Sequence, residues 1–144
     1  MHNQFIYITG AAGFIGSNLV KKFIKQKICF FPVSRKSNNI KNSIVLENYS
    51  DLNPLENSTL IHLAENNNAA EAELMGEDFI TKNTEKISSL IKKKWGNVIY
   101  ISTVLLYDFE KQNNKITNES MGKVKVNSIY KKSKIECEKI VLNA

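Results

Sequence analysis

Tyr130 and Lys134 stand four residues apart in a segment, from about Ser128 to Leu142, whose pattern predicts a helix. Side chains four residues apart lie on the same face of a helix. A tyrosine alone has a pKa of about 10 and is a poor base at neutral pH, but a neighbouring ammonium favours the phenolate. The pair therefore predicts a tyrosine that can take or give an alcohol proton. The alternative is a chance pair in a lysine-rich chain.

A second chemical pattern is a glycine-rich loop near the start of the chain. Gly10, Gly13 and Gly16 follow an apolar strand over 5–8 and open an amphipathic helix over 14–27. Glycine permits a tight turn, a close approach of backbone amides to a pyrophosphate, and close packing of the helix. Free N–H groups at a helix N-terminus also favour anions. The strand, loop and helix together predict a dinucleotide site, whereas a tight turn without a ligand is the alternative.

The end of the second strand bears on which dinucleotide is bound. Many NAD-binding units place an acidic residue here for the ribose 2′-hydroxyl. The chain instead reads Ser34, Arg35 and Lys36. A guanidinium suits a 2′-phosphate, which an acid would repel. The sequence therefore predicts NADP in preference to NAD; the alternative is that Arg35 and Lys36 are solvated loop charges.

The elements that must position these residues alternate along the chain. Apolar runs predict strands at 5–8, 28–33, 44–46, 59–63 and 97–102, and helical spacing predicts helices at 14–27, 77–94 and 128–142. Strands that alternate with helices and are nearly continuously apolar predict a parallel sheet covered on both faces. We therefore expect an α/β, three-layer Rossmann fold over 1–144, with Pro32 marking an edge strand or a strand end.

Composition excludes several other classes. The 144 residues are 42% hydrophobic and 24% charged, which fits one globular domain. No apolar run is long enough to span a membrane and no leader pattern precedes the first strand, so the expected compartment is the cytoplasm. Cys29 and Cys137 are far apart and lack metal-ligand spacing, which predicts two free thiols and no metal site.

The net charge of +6 does not by itself indicate a nucleic-acid partner. Arg35 is the only arginine, and the chain is rich in Lys, Asn and Ile, whose codons are rich in A and T. Nucleic-acid binders usually carry clustered arginines with aromatics or a known module. We therefore expect no nucleic-acid partner and attribute the lysines to composition.

The stretch from Ile8 to Asn18 resembles the extended short-chain dehydrogenase/reductase superfamily, the NAD(P)-dependent epimerase/dehydratase group that acts largely on nucleotide sugars. Ser102 to Tyr107 is similar to its Ser-Ser/Thr-x-x-x-Tyr block. The resemblance implies Thr103, Tyr130 and Lys134 as the catalytic residues, with Thr103 hydrogen-bonding the substrate oxygen and Lys134 also binding the nicotinamide ribose. The stretch 118–138 resembles the segment that leads into the catalytic helix.

The same resemblance extends the cofactor site to later strand ends. Asp51 and Leu52 look like an adenine-contacting pair, and Leu63 and Ala64 like a turn whose backbone lines the cofactor, followed by Glu65 in place of a small residue. His62 is interpreted as a scaffold histidine, and Asn83 resembles a helix asparagine that holds the central region. The predicted cofactor-binding residues are Gly10, Ala12, Gly13, Phe14, Ile15, Gly16, Ser34, Arg35, Asp51, Leu52, Leu63, Ala64, Tyr130 and Lys134.

The resemblance also narrows the reaction. Dehydratases of this group carry an acidic pair after the catalytic Ser/Thr, whereas this chain has Val104 and Leu105, which leaves an epimerase or a keto-sugar reductase. The alternative is a truncated or split member that binds the dinucleotide without catalysing alone, because no C-terminal substrate domain follows. Asp108 replaces a usual glycine. Partners implied are a nucleotide sugar and either a second copy, through the helices 77–94 and 128–142, or a complementary chain.

Overall fold

The computed structural model describes residues 5–107 and 126–144. Its strands are β1 (Ile6–Thr9), β2 (Phe30–Ser34), β3 (Ile44–Val45), β4 (Ser58–His62) and β5 (Trp95–Tyr100). Its helices are α1 (Phe14–Lys25), α2 (Ala69–Met75), α3 (Glu77–Ile91) and α4 (Ile129–Leu142), with 3₁₀ turns at Tyr49–Asp51 and Val104–Leu106.

The five strands form one parallel sheet in the order β3-β2-β1-β4-β5. The central strand β1 pairs with β2 on one side and β4 on the other, so that Ile8 lies between Pro32 and Ile61. Because all strands run in the same direction, their carboxyl ends meet at one edge of the sheet. The sheet confirms the predicted α/β Rossmann class.

Alternate residues of the strands supply two cores, one on each face of the sheet. On one face Tyr7 and Leu60 pack in a cluster that includes Leu90 of α3. On the other face Ile8 and Ile61 pack with Val20 of α1. Burial of both faces accounts for the continuously apolar strands and gives the predicted three layers.

The helix α2 was not predicted from the sequence. It covers seven residues, which is too short for a repeating apolar stripe to be recognised. A signal was nevertheless present at its start, because the Asn68 side chain accepts a hydrogen bond from the Glu71 amide at 3.1 Å. An Asn cap followed three residues later by Glu is typical of a helix N-terminus.

Pro32 is the middle residue of β2, which has β1 on one side and β3 on the other, so the predictions of an edge strand and of a strand end are both wrong. The strand β3 is only two residues long and pairs with Val33 and Ser34 alone. Pro32 therefore has no β3 partner, and its missing N–H interrupts no ladder on that side.

Within residues 5–107 and 126–144, no helix has both the length and the apolar character needed to cross a bilayer.

Candidate functional site

The glycine loop joins β1 to α1 in a conformation that needs its glycines. Gly10 has φ +71°, and a Cβ there would lie 2.8 Å from the carbonyl carbon of Leu63. A Cβ on Gly16 would lie 2.8 Å from the Cα of Ala11. Gly13 is the N-cap of α1 and no side chain caps the helix, so its first amides are left for another acceptor. The loop is therefore closely packed, and its free amides are the kind of group that can hold an anion.

A cleft of about 1020 Å³ opens above the carboxyl ends of β1 to β4, with α3 as its far wall. We call it the large cleft. Seven of the predicted cofactor residues line it: Gly10, Ala12, Gly13, Ser34, Arg35, Leu63 and Ala64. Residues from the ends of β1, β2 and β4 are thus brought to one site.

Other predicted cofactor residues lie elsewhere. Phe14 is 88% exposed, and Gly16 is buried beneath the loop. Leu52 is buried in the core, and Asp51 is exposed and outside the lining of the large cleft. The wall after β3 is formed instead by residues 47–50. Asp51 and Leu52 were assigned by the family resemblance, and in this structure the 3₁₀ turn after β3 carries Leu52 into the core.

Cations line the large cleft from two sides. Arg35 and Lys36 follow β2, and Lys82 and Lys86 project from α3. Burial lowers the pKa of Lys86, and the positive charge of Arg35 lowers it further. Lys86 donates a hydrogen bond to the Ala64 carbonyl at 3.0 Å. Sequence reasoning missed Lys86, although its place on α3 beside the apolar stripe was a usable signal.

Tyr49 forms the buried floor beside Arg35. Burial raises the pKa of its phenol, and the Arg35 charge and the Gly10 backbone act in the opposite direction. The phenol is therefore neutral at physiological pH. It contributes a neutral hydroxyl, next to the cation at the end of β2.

A second cavity, of about 210 Å³, lies at the ends of β4 and β5. We call it the small cavity. The structure brings Tyr130 and Lys134 together there, with Ile15 of α1 opposite. Leu63 and Glu65 line both the small cavity and the large cleft. The glycine loop and the Tyr-Lys pair therefore border adjoining spaces.

Thr103 does not line the small cavity in this structure. Its hydroxyl accepts a hydrogen bond from the Leu105 amide at 3.3 Å and caps the 3₁₀ turn. Its neighbour Ser102 does line the cavity, and the Ser102 hydroxyl oxygen is buried without a partner among the described residues. The hydroxyl-bearing residue after β5 that lines the small cavity together with Tyr130 is thus Ser102, a residue that the sequence analysis did not select.

His62 is buried at the end of β4, with its Nδ1 2.7 Å from the Thr9 hydroxyl. Burial lowers its pKa to about 3, and the positive charges of Lys86 and Lys134 contribute to that shift. The ring is therefore neutral. Its Nε2 has no partner within residues 5–107 and 126–144, and the side chain borders the small cavity.

Glu65 is the centre of a buried polar cluster beside that cavity. Its carboxylate accepts hydrogen bonds from the Tyr100 hydroxyl, 2.8 Å from each oxygen, and forms an ion pair with the Lys134 ammonium. Both charged side chains are nearly inaccessible, at 4% for Glu65 and 6% for Lys134. Burial raises the pKa of the Cys137 thiol to about 12, and the charge of Glu65 raises it as well. Burial also raises the pKa of Tyr100.

The helix α4 is held against α3 by polar contacts as well as apolar ones. The Asn83 amide donates to the Ser133 hydroxyl at 3.1 Å, and both residues are buried. At its start, the Ser128 hydroxyl caps α4 by accepting from the Lys131 amide. Asn83, predicted to hold the central region, thus fixes the turn of α4 that carries Lys134.

Two features of the sequence analysis, Asp108 and the part of the stretch 118–138 that covers 118–125, lie outside the described residues. Within the described part of the chain, no three His, Cys, Asp or Glu side chains are grouped as metal ligands.

The comparisons with known proteins agree with this geometry. Residues 6–144 match the family described as NAD dependent epimerase/dehydratase. The chain belongs to that family. Comparison with curated proteins gives no match.

Many solved structures have a similar fold, and three of them are described here. MoeE5 in complex with UDP-glucose and NAD has a TM-score of 0.75 and 22% identity over 96% of this chain and 48% of its own. UDP-N-acetylglucosamine 4-epimerase from Bacillus cereus has a TM-score of 0.72 and 20% identity, and the match covers 97% of this chain and 50% of that structure's chain. A short-chain dehydrogenase/reductase superfamily protein from Agrobacterium tumefaciens with bound NAD has a TM-score of 0.73 and 17% identity. The match covers 96% of this chain and 44% of that structure's chain. The chain spans about half the length of these structures.

Proposed function

We propose that the chain binds one nicotinamide dinucleotide across the large cleft and the small cavity, and that Tyr130 exchanges a proton with a substrate alcohol or ketone during hydride transfer. The observation that carries this proposal is the continuity of the site. The glycine loop lines the large cleft and the Tyr-Lys pair lines the small cavity, and Leu63 and Glu65 border both.

The residues present fit such a cofactor. The uncapped start of α1 offers free amides to a pyrophosphate, in a loop whose Gly10 leaves no room for a side chain. The backbone of Leu63 and Ala64 forms the next stretch of wall. The bound group supplies the hydride acceptor or donor.

The adenosine end supports NADP as the preferred dinucleotide. Arg35 and Lys36 are exposed at the end of β2, and Lys86 faces them from α3. A 2′-phosphate adds negative charge at this point, and a guanidinium can bind two of its oxygens at once. The family is described as NAD dependent, so a preference of this chain for NADP is a more specific proposal than dinucleotide binding itself.

At the other end, Tyr130 is the proposed acid and base, and Lys134 the proposed ribose-binding group. Thr103, implied by the resemblance, and Ser102, which lines the cavity, are the two candidates after β5 for a hydrogen bond to the substrate oxygen. The substrate class proposed is a nucleotide sugar, because MoeE5 is described in complex with UDP-glucose and UDP-glucuronic acid. Val104 and Leu105 cannot act as acid or base, which favours epimerisation or keto-sugar reduction over dehydration.

The second candidate function is dinucleotide binding without turnover by this chain alone. The observation in its favour is that the chain spans about half the length of the solved structures it matches. A second chain would then complete the substrate site.

Turnover separates the two candidates. The chain is mixed with NADPH and a uridine diphosphate 4-keto-sugar while nicotinamide absorbance is followed. Separately, it is mixed with UDP-glucose and the oxidised dinucleotide, NADP⁺ or NAD⁺, while sugar NMR signals are followed. The first candidate predicts turnover that Tyr130→Phe lowers at least a hundredfold with dinucleotide affinity within threefold of wild type. Binding without turnover supports the second candidate, and absence of binding contradicts both.

We also propose that the chain self-associates through α3 and α4, the partner surface implied by the resemblance. Light scattering at several concentrations checks this. A mass of two chains that persists on dilution is expected, and a monomer at all concentrations would contradict it.

A further inference from the structure

Among the residues the structure describes, Glu65 is the one acidic side chain that borders both the large cleft and the small cavity. A carboxylate beside a proposed pyrophosphate site would repel the ligand if its charge were free. The structure shows how this charge is compensated. Glu65 is buried and pairs with the Lys134 ammonium, while the Tyr100 hydroxyl donates to both of its oxygens.

Lys134 is fixed by this arrangement at the end of β5. Besides its ion pair with Glu65, its ammonium donates to the Ile101 carbonyl at 3.1 Å and lies 5.2 Å from the centre of the Tyr100 ring. Two of the three N–H donors of the ammonium are thus engaged, and one is left for a ligand oxygen. A long lysine side chain is ordinarily mobile, and these contacts restrict it to one position.

Glu65 is in turn held by groups of three elements. Tyr100 on β5 donates to it, and the Cys137 thiol and Lys134 of α4 lie against it. From α3, the positive charge of Lys86 is close enough to interact with it. Buried carboxylates persist in proteins when they are paired and hydrogen-bonded.

We propose that Glu65 is the positioning residue of the Tyr-Lys site: it fixes the Lys134 ammonium between the large cleft and the small cavity and neutralises its charge. This proposal rests on the proposed function, in which Lys134 binds the ribose. The ion pair between Glu65 and Lys134 can nevertheless be tested without any dinucleotide. Glu65 acts through Lys134 and touches no reacting atom.

The test is the rate at which single lysines are acylated by an amine-reactive ester, read by peptide mass spectrometry at pH 8. A matched control is the pair of Lys94 and Glu56, whose nitrogen and oxygen lie 2.8 Å apart but whose side chains are 81% and 68% exposed. In wild type, we expect Lys134 to react at least tenfold more slowly than Lys94. Loss of the carboxylate partner releases the Lys134 ammonium from its ion pair, so Glu65→Gln should accelerate the acylation of Lys134 at least fivefold.

Glu56→Gln should leave Lys94 within twofold of its wild-type rate, since exposed ion pairs hold their partners weakly. A role of Glu65 in general stability would change the melting temperature but not the ratio of Lys134 to Lys94 labelling in the folded protein. An unchanged ratio in folded Glu65→Gln would overturn the proposal. Failure of wild type to bind a dinucleotide would contradict the proposed function and leave this labelling result standing.

If Glu65→Gln does not fold, the double variant Glu65→Leu with Lys134→Leu replaces it. Removing both charges leaves no buried ion without a partner. A cooperative thermal transition that returns in the double variant supports the hold of Glu65 on Lys134. A double variant that stays unfolded would overturn it, because Glu65 would then support the fold independently of Lys134.

Discussion

At the β2 end of the site, Arg35 and Lys36 are exposed and their charges face an open cleft. At the β5 end, Lys134 is buried and its charge is matched by Glu65. The same kind of side chain therefore serves two different purposes. An open cation attracts an anion from solution, whereas a paired and buried cation keeps a fixed position at little net charge.

This contrast agrees with the two parts of a dinucleotide. Phosphates carry the negative charge of NADP and the nicotinamide end has to be placed within reach of a reacting atom. Electrostatic attraction therefore matters most at the phosphates, and precise placement matters most at the nicotinamide. Variants at the two ends should accordingly differ in what they change.

The largest expected effect is on stability at the buried end. Glu65→Ala leaves the Lys134 ammonium buried without its partner, and breaking such a pair costs about 3–5 kcal/mol of unfolding free energy. Glu56→Ala, which breaks the exposed pair with Lys94, should cost about 0–1 kcal/mol. Urea unfolding of both variants checks the difference. Equal costs would show that burial of the Glu65 pair carries no energetic weight.

A second effect of the buried end depends on pH. The pKa of His62 is lowered to about 3 in the folded protein, against about 6.5 in an unfolded chain. The unfolded state therefore binds the proton first as pH falls. His62 contributes stability that is complete above about pH 6.5 and lost toward pH 3, at up to about 1.4 kcal/mol per pH unit.

Urea unfolding at pH 6.5 and 4.5 measures this loss, which should be about 2.3 kcal/mol from His62, because half of the unfolded chains already carry the proton at pH 6.5. His62→Gln keeps a polar side chain that does not titrate. The unfolding free energy of this variant should therefore fall between pH 6.5 and 4.5 by less than that of wild type, and the difference should equal the His62 contribution. Wild type and variant with parallel pH profiles would contradict a neutral, buried His62.

The exposed end should change affinity and leave stability nearly unaltered. Arg35→Ala removes the guanidinium proposed for the 2′-phosphate, and we expect NADPH to bind about tenfold more weakly, or about 1.4 kcal/mol, with NADH affinity unchanged. Lys21→Ala, an exposed lysine of α1, is the control and should change neither affinity. A loss of the same size for NADH would assign Arg35 to general charge attraction rather than to the 2′-phosphate.

The difference between the two ends also explains what the sequence could predict. The glycine loop and the Tyr130–Lys134 pair are local patterns. The strand and the helices that carry them lie where the sequence predicts, because propensity, spacing and burial agree. Glu65 was noticed only as a departure from a small residue. Its pairing with Lys134 joins positions 69 residues apart, and no local pattern specifies such a contact.

The short helix α2 is the element that the sequence did not reveal, because seven residues are too few for a repeating apolar stripe. Tertiary packing, here the burial of Ala72, decides the structure that propensity leaves open. Asp51 and Leu52 were assigned to the cofactor by the family resemblance, and their role there stays a prediction.

The measurement that tests the central claim most directly is a fluorescence titration of the wild-type chain with NADPH and with NADH under identical salt conditions. Dinucleotide binding across both ends, with an open cationic end at β2, predicts saturable binding of both and at least tenfold higher affinity for NADPH. Equal affinities would contradict the role given to Arg35. No saturable binding of either dinucleotide would contradict the proposed function itself.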